Sequence, residues 1–441
     1  MSHKNKNLTH PKWSYSANVY EVNLRQYTPE GTFDAFSKHL PRLRDMGVKI
    51  LWFMPITPIS KTGRLGILGS YYAVKNYTDT NPEFGTVNDF RNLVEKAHEL
   101  GFKIIIDWVA NHTGNDHHWI TEHPEFYRYL EDNQLHHPHG WTDVAQLNYD
   151  VADLWESMIA AMKFWLKECD VDGYRCDMAH LVPLEFWEQA KKKLSKFKDH
   201  LFWLGECENP EYHVVFDATY TWKWMHASEE FYHNKMNLQA LLTVLYKSVT
   251  EFPGDAFRTY FTSNHDENSW NGTEFEKYGD AAQLMAVFTC TWNGIPMIYS
   301  GQEMPNKKRL KFFEKDAIEW DGNFGLHNFY KTLLILKSSN KSLHAGDPSV
   351  LTKVISHPDD HQVFSFLRKY EHAEVLVVLN FSPGEINFQV KGVHGVFRNV
   401  FGENDVNFDR EDQLQLNSWG YLVFEKVPML SEQATPMPGE H

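Results

Sequence analysis

The sequence predicts an α/β fold, namely a (β/α)8 TIM barrel with a short inserted subdomain after the third strand and a C-terminal all-β sandwich domain. Its 441 residues exceed one ordinary core but suit a barrel of roughly 250 or more residues plus an accessory domain. Strand-like and helix-like segments alternate through most of the chain, and short strands separated by turns follow them. We therefore expect two domains and one insertion.

The alternating part of the chain contains eight strand candidates. They are short, mainly apolar runs that end near Asn23, Phe53, Asp107, Asp177, Glu206, Asp217, Phe261 and Tyr299. Amphipathic helix candidates lie between them and cover residues 32–46, 87–100, 153–167, 183–198, 228–248 and 279–292. Gly47 and Gly101 follow two of these helices, where a residue with positive φ often ends a helix. Eight strands alternating with helices predict a closed parallel barrel.

One connection is too long for a plain loop. Residues 108–152, between the third strand and the next helix, are rich in His, Trp and Asn and show little periodicity. Long connections of this kind in a compact domain are usually functional. We assign residues 108–152 to an inserted subdomain B at the barrel mouth, so that the barrel comprises residues 1–107 and 153–342.

The pattern changes after residue 342. Short strand candidates separated by turns lie at 363–367, 375–379, 386–390 and 420–424. They predict a β-sandwich domain over residues 343–428. Residues 429–441 contain few large apolar side chains and are predicted to form a disordered tail.

The composition excludes several classes of protein. The formal net charge is -15, from 43 Lys+Arg against 58 Asp+Glu, so nucleic acid is not an expected partner. No run of about 18 apolar residues occurs, and the first residues lack the apolar stretch of a secretory signal, so we expect no membrane partner and a cytoplasmic location. Aromatic residues make up 15% of the chain and would provide flat platforms for sugar rings. The sequence leaves the oligomeric state open.

Three carboxylates, Asp177, Glu206 and Asp266, each follow a short apolar or aromatic run. Burying a carboxylate costs free energy, and the C-terminal ends of all barrel strands converge on one face. Each acid alone could equally be an ordinary strand-end residue, but the three together predict one active site. Glycoside hydrolases generally use a pair of carboxyl groups that flank the bond to be cut. The distance between the two groups distinguishes retaining from inverting enzymes.

Neighbouring residues suggest how the three acids divide the chemistry. Arg175 precedes Asp177 by two positions on the same strand face, where its charge would keep Asp177 ionised as a nucleophile. Glu206 has no adjacent cation in the sequence, so apolar surroundings should raise its pKa and keep it protonated as the acid. Asp266, next to His265, could stabilise the positive charge of the transition state.

Four short segments occur in order along the chain: Asp107-Trp-Val-Ala-Asn-His112, Gly173-Tyr-Arg-Cys-Asp177, Gly205-Glu206 and Phe261-Thr-Ser-Asn-His-Asp266. In these segments the chain resembles glycoside hydrolase family 13, the α-amylase family. Gly47 to Pro58 and Gly294 to Glu303 also match subsidiary segments of the family. The similarity extends over about residues 15 to 425.

This resemblance implies a retaining mechanism on α-linked glucose units, with Asp177 as nucleophile, Glu206 as acid/base and Asp266 as transition-state stabiliser. The resemblance also implies that His112 and His265 bind hydroxyl groups of the sugar and that Tyr72 stacks beneath that sugar. Arg175 would contact the nucleophile, and Asp107 would orient the arginine.

Two departures from the family pattern affect the metal and the substrate. Met178 to Leu181 stand where many calcium-dependent α-amylases carry a Lys-His pair, and Asn111 alone matches a calcium ligand of the family. We therefore predict no required cofactor, with calcium as an option. The segment from Ala145 to Asp150 matches neither oligo-1,6-glucosidases nor neopullulanases, so the linkage preference stays open.

The function predicted from the sequence is α-amylase-like hydrolysis of α-1,4-glucosidic bonds in starch, maltodextrin or maltooligosaccharides, through a covalent glycosyl-enzyme intermediate. The alternatives are a glucanotransferase, a sugar isomerase or an α-1,6-acting glucosidase of the same family, which would share every catalytic residue. A non-catalytic sugar-binding protein is the third hypothesis, and the presence of all three acids with Arg175 and His265 argues against it.

Overall fold

The computed structural model describes residues 9–355, 362–402, 404–410 and 413–428. Its strands are β1 (Val19–Val22), β2 (Ile50–Phe53), β3 (Lys103–Val109), β4 (His112–Gly114), β5 (Val144–Gln146), β6 (Gly173–Asp177), β7 (Phe202–Gly205), β8 (Ala218–Tyr220), β9 (Phe257–Phe261), β10 (Ile295–Tyr299), β11 (Leu351–Ile355), β12 (Val363–Tyr370), β13 (Ala373–Asn380), β14 (Ile386–Phe388), β15 (Val396–Asn399), β16 (Asp405–Asn407), β17 (Leu414–Leu416) and β18 (Tyr421–Lys426).

The α-helices lie mainly between the barrel strands. They are α1 (Leu24–Tyr27), α2 (Phe33–Ser37), α3 (Leu40–Met46), α4 (Val87–Glu99), α5 (Trp119–Glu122), α6 (Ala152–Cys169), α7 (Leu184–Leu194), α8 (Trp222–Tyr232), α9 (Leu238–Glu251), α10 (Glu274–Tyr278), α11 (Ala282–Thr291) and α12 (His327–Ser339). None of the helices in the described residues is long and apolar enough to cross a membrane.

Eight parallel strands close into a barrel, which confirms the predicted fold class. Their order around the barrel is β1-β10-β9-β8-β7-β6-β3-β2. Every residue of β1, β2, β6 and β10 is buried, as expected for strands covered on both faces. Because all eight strands run in the same direction, the residues that follow them meet at one mouth of the barrel.

Local sequence signals explain several element boundaries. Thr86 caps α4, with its side chain accepting from Asp89 N–H while Asp89 accepts from the Thr86 backbone. The helix α3 ends at Gly47, whose φ of 91° is unfavourable for any residue with a Cβ atom. These boundaries fix where the chain leaves each helix and enters the next barrel strand.

Three predicted elements were wrong in their extent. The helix predicted over 32–46 is divided into α2 and α3, because Pro41 in the first turn of α3 lacks the N–H that a continuous helix would use. The helix predicted over 228–248 is likewise two helices, interrupted at Asn234 with a φ of 58°. The strand predicted to end near Asp217 instead begins after it, at Ala218, and the Asp217 side chain just before the strand accepts a hydrogen bond from Trp203 N–H.

The insertion between β3 and α6 contains the antiparallel pair β4 and β5. The C-terminal part forms a six-stranded antiparallel sheet, in the order β11-β12-β13-β18-β15-β16, and a two-stranded sheet of β14 and β17. Alternate residues of β13 face opposite ways: Leu376 and Val378 pack with the two-stranded sheet, whereas Val375 and Val377 belong to the barrel core. The domain boundaries given above stay predictions, and the predicted tail at 429–441 lies outside the described residues.

Candidate active site

A cleft with a cavity volume of about 330 Å³ opens at the barrel mouth. Asp177, Glu206 and Asp266 all line it, although they lie at or after the ends of three different strands. The other lining residues come from β4, β5 and the surrounding loops, and they are Leu65, Ser70, Tyr72, His112, Trp141, Asp143, Val144, Met178, Trp270, Phe312 and Phe313. The three sequence-predicted acids are therefore brought together around one space.

Arg175 connects the carboxylates beneath this cleft. Its side chain is fully buried, and Nη1 donates to both oxygens of Asp107, at 2.9 and 3.1 Å, and to Asp177 Oδ1 at 3.0 Å. Nη2 lies 2.9 Å from Glu206 Oε2, as an ion pair whose alignment falls short of a hydrogen bond. One guanidinium thus neutralises part of the charge of three buried carboxylates.

The premise that Glu206 lacks a nearby cation was wrong. The strand β7 is the neighbour of β6 in the barrel, with Arg175 opposite Leu204, so the guanidinium reaches the end of β7 as well as that of β6. Sequence adjacency places the arginine only beside Asp177. The charge of Arg175 therefore does not distinguish the nucleophile from the acid.

Burial has the largest effect on the pKa of Glu206 and of Asp177. It raises the pKa of Glu206 to about 7, although Arg175 acts in the opposite direction. Burial also raises the pKa of Asp177, again against the effect of Arg175. Glu206 Oε2 accepts a hydrogen bond from Met178 N–H at 2.9 Å, which fixes the orientation of the carboxyl group. Glu206 can therefore carry a proton near neutral pH.

A hydrogen-bonded chain runs from Glu21 to Asp107 along the floor of the cleft. Glu21 Oε1 lies 2.5 Å from His265 Nδ1, and Tyr72 Oη lies 2.7 Å from His265 Nε2 and donates to Asp107 Oδ2 at 3.1 Å. Burial alone lowers the pKa of His265, but Asp266 and Glu21 raise it to about 9. The imidazolium is therefore the stable form at neutral pH, and it lies 3.4 Å from Asp266 Oδ2.

His112 lines the cleft on the side of the insertion. Burial lowers its pKa to about 4, so the ring is neutral at pH 7 and can both donate and accept hydrogen bonds. Its ring centroid lies 5.7 Å from that of Trp141. A neutral imidazole beside an aromatic ring is suited to a sugar hydroxyl.

Asn111 is buried next to His112, with Nδ2 3.2 Å from His112 Nδ1. Within the described ranges no group of three or more His, Cys, Asp or Glu side chains is arranged to hold a metal ion. Calcium binding by Asn111 stays a prediction.

Several residues of the site were not predicted from the sequence, among them Glu21, Phe312 and Phe313. Glu21, which orients His265, is an acid in the middle of the apolar strand β1, and that position was a usable signal. Phe312 and Phe313 line the cleft from the loop after β10. Two adjacent phenylalanines in the otherwise charged run from Lys311 to Lys315 were a weaker signal.

Comparisons with known proteins agree on one family. The sequence model of the family described as "Alpha amylase, catalytic domain" matches residues 7–141 and 125–323, and that described as "Maltogenic Amylase, C-terminal domain" matches residues 354–423. The chain is 25% identical over 425 residues to α-amylase MalA of Haloarcula japonica, which covers 90% of this chain and 61% of MalA. The chain thus spans about three fifths of the length of that relative.

Two solved structures are similar over nearly their whole length. An α-amylase from Lactobacillus plantarum has a TM-score of 0.85 and 28% identity, covering 94% of this chain and 100% of that one. The maltogenic α-amylase AmyB from Thermotoga neapolitana has a TM-score of 0.86 and 27% identity, covering 94% of this chain and 99% of that one.

Proposed function

Because the chain belongs to the α-amylase family of glycoside hydrolases, we propose that it is a retaining hydrolase that cleaves α-1,4-glucosidic bonds in starch, maltodextrin or maltooligosaccharides. One observation carries the proposal: Asp177, Glu206 and Asp266 line a single cleft, and the first two pair with the same buried Arg175. The substrate class follows from the family, and the reaction type follows from the carboxylates.

In the first step, Asp177 attacks the anomeric carbon of the bound glucose unit. The bond between that carbon and the glycosidic oxygen breaks, and the proton of Glu206 passes to the departing oxygen. Arg175 holds Asp177 in place through its 3.0 Å hydrogen bond. Asp266 lies beside the reacting centre, where its negative charge stabilises the positive charge that develops on the sugar ring.

In the second step, water replaces the departed saccharide. Glu206, now a carboxylate, takes a proton from this water, whose oxygen attacks the anomeric carbon while its bond to Asp177 breaks. Two inversions retain the α configuration. Asp177 and Glu206 return to their starting protonation states, so the cycle balances.

The sugar of the bond to be cut would be held by Tyr72, His112 and His265. The Tyr72 ring is stacked against His265, with ring centroids 5.4 Å apart, and both are fixed by hydrogen bonds to buried acids. A preorganised floor of this kind reduces the entropy that binding must overcome.

The test is to incubate the protein with maltoheptaose, pullulan and p-nitrophenyl α-glucoside and to follow product size and anomeric form by NMR. We expect shorter maltooligosaccharides released as α-anomers from maltoheptaose. Initial release of β-anomers would contradict a retaining mechanism. Products longer than the substrate would indicate a transferase. Preferential cleavage of the α-1,6 bonds of pullulan would indicate an α-1,6-acting glucosidase. Asp177→Asn should abolish turnover, while Asp34→Asn, at an exposed carboxylate, should not.

A further inference from the structure

Part of the cleft is lined by aromatic rings that the mechanism above does not use. Trp270, Phe312 and Phe313 form a contiguous group that we call the aromatic wall. The ring centroid of Trp270 lies 5.4 Å from that of Phe312 and 5.8 Å from that of Phe313. Phe312 in turn lies 6.3 Å from Tyr72, with the two ring planes 16° apart. The wall therefore continues outwards from the floor under the reacting sugar.

The barrel order places the aromatic wall away from the acid. Trp270 follows β9, Phe312 and Phe313 follow β10, and Tyr72 follows β2, so these residues occupy the arc β9-β10-β1-β2. Glu206 follows β7 on the remaining arc. The acid must lie beside the leaving group, which is the reducing-end portion of the substrate. The aromatic wall therefore faces the portion on the non-reducing side of the cut.

Backbone hydrogen bonds join the wall to the loop after β2. Leu68 N–H donates to Phe313 O at 3.0 Å, and Arg25 Nη1 donates to Gly69 O at 3.0 Å and to Phe312 O at 3.4 Å. Arg25 itself is buried, in the helix that follows β1. The loops after β1, β2 and β10 are thus fixed to one another across this side of the mouth.

The loop after β9 is tied to the same structure. Ser269 Oγ donates to Leu310 O at 2.8 Å, and Leu310 N–H donates to Asn268 Oδ1 at 2.8 Å, so the turn that carries Trp270 is held against the loop after β10. The Trp270 side chain is nevertheless 53% exposed. An indole that is fixed in position with an open face is suited to stacking against a sugar ring.

We propose that the aromatic wall binds the glucose unit next to the reacting one and closes the non-reducing side of the cleft, so that the protein removes short saccharides from chain ends. The inference rests on the proposed function and adds a direction and a product size to it. The cleft has a cavity volume of about 330 Å³, at the lower end of the range for ligand sites, as expected for a short saccharide rather than a long glucan segment.

The experiment uses maltoheptaose that carries a fluorescent label at its reducing end. In the first turnovers the wild-type protein should release labelled maltopentaose, because the wall would hold the second glucose unit and block a third. Trp270→Ala and Phe313→Ala should open that side and give shorter labelled products. Trp270→Ala should also lower kcat/KM for maltotriose roughly three- to tenfold, through loss of stacking. Phe197→Ala is the matched control, at a 45% exposed aromatic that does not line the cleft.

Two results would overturn the inference but leave the proposed function intact. In the first, the wild type gives an even distribution of labelled products in the first turnovers. In the second, both wall variants keep the wild-type melting temperature and give the same labelled products as the wild type. If the wild type leaves maltoheptaose intact, the proposed function fails and the inference fails with it. The same chromatogram shows whether maltoheptaose is cleaved and which labelled products form. A failure of the inference can therefore be distinguished from a failure of the proposed function.

Discussion

At the scale of single residues, the site depends on how one buried cation is shared. Arg175 pairs with Asp107, Asp177 and Glu206, and its side chain has no exposed surface. Burial raises the pKa of Glu206 and of Asp177, whereas the guanidinium acts in the opposite direction. Because these two effects oppose each other, Glu206 can give and recover a proton near neutral pH.

Glu206→Gln removes the proton that the leaving oxygen requires. We expect turnover of maltoheptaose to fall about 10²- to 10⁴-fold, and that of α-glucosyl fluoride, whose fluoride departs without protonation, to fall much less.

In the wild type, kcat/KM should decline as the pH rises through about 7, because the pKa of Glu206 is raised to that value and the deprotonated form cannot act as an acid. Steady-state kinetics over pH 5 to 9 measures both effects, with exposed Glu211→Gln as the control. Equal losses on the two substrates would contradict the assignment.

Arg175→Met leaves three buried carboxylates without their cation. We expect the free energy of unfolding at pH 8 to fall by about 3 to 5 kcal/mol. The loss should be smaller at pH 5, because burial raises the pKa of Asp177 and Glu206 and the variant can protonate them there. Urea unfolding at the two pH values measures this difference. As a control, Arg398→Met removes an exposed pair with Asp405 and should change the free energy of unfolding little at either pH. An equal loss of unfolding free energy at both pH values for Arg175→Met would contradict the account.

At the scale of elements, a second buried arginine joins the C-terminal sheet to the barrel. Arg368 on β12 donates to Ser342 O at 3.0 Å and to His344 O at 2.8 Å, in the segment that follows α12. It also donates to Thr352 Oγ1 on β11 at 2.7 Å. The side chain thus ties the first strands of the sheet to the linking segment.

Arg368→Ala removes these hydrogen bonds and leaves the carbonyl groups of buried Ser342 and half-buried His344 without this donor. We expect a loss of about 3 kcal/mol or more in the free energy of unfolding, with kcat for maltoheptaose unchanged below the melting temperature. Denaturant unfolding and a kinetic assay check the two expectations, with exposed Arg410→Ala as the control. A fall in kcat without a loss of stability would show that the linking segment acts on the active site.

The sequence predicts buried, apolar strands better than partly exposed ones. The barrel strands were recognisable because both of their faces are buried, and their spacing led to the correct fold class. The strands β15, β16 and β17 are only partly buried, and their pairing depends on partners distant in the chain, so no local pattern marks them. The contact between Arg175 and Glu206 was missed for a similar reason, since it depends on which strands are neighbours in the barrel.

At the scale of the whole molecule, the barrel and the C-terminal sheet share one apolar core. Trp292, which precedes β10, has its ring centroid 4.8 Å from that of Phe366 and 5.8 Å from that of Phe364, both on β12. Phe288 on α11 also packs against these rings. Separation of the two parts would expose these aromatic residues to water.

We therefore expect the two parts to unfold together. Differential scanning calorimetry should show one cooperative transition, and truncation after Leu343 should give an aggregated product, because it would uncover Phe288 and Trp292. Two resolved transitions, or a truncated barrel that stays monomeric and active, would show that the shared core contributes little to stability.

The most direct test of the central claim is to trap the covalent intermediate. A 5-fluoro-α-glucosyl fluoride carries a good leaving group, and its second fluorine slows the hydrolysis of the glycosyl-enzyme, so the intermediate accumulates. Mass spectrometry of the intact protein should then show one added fluoroglucosyl group, and the digest should place it on the peptide that contains Asp177. No adduct, or an adduct on Glu206 or Asp266 instead, would contradict the account.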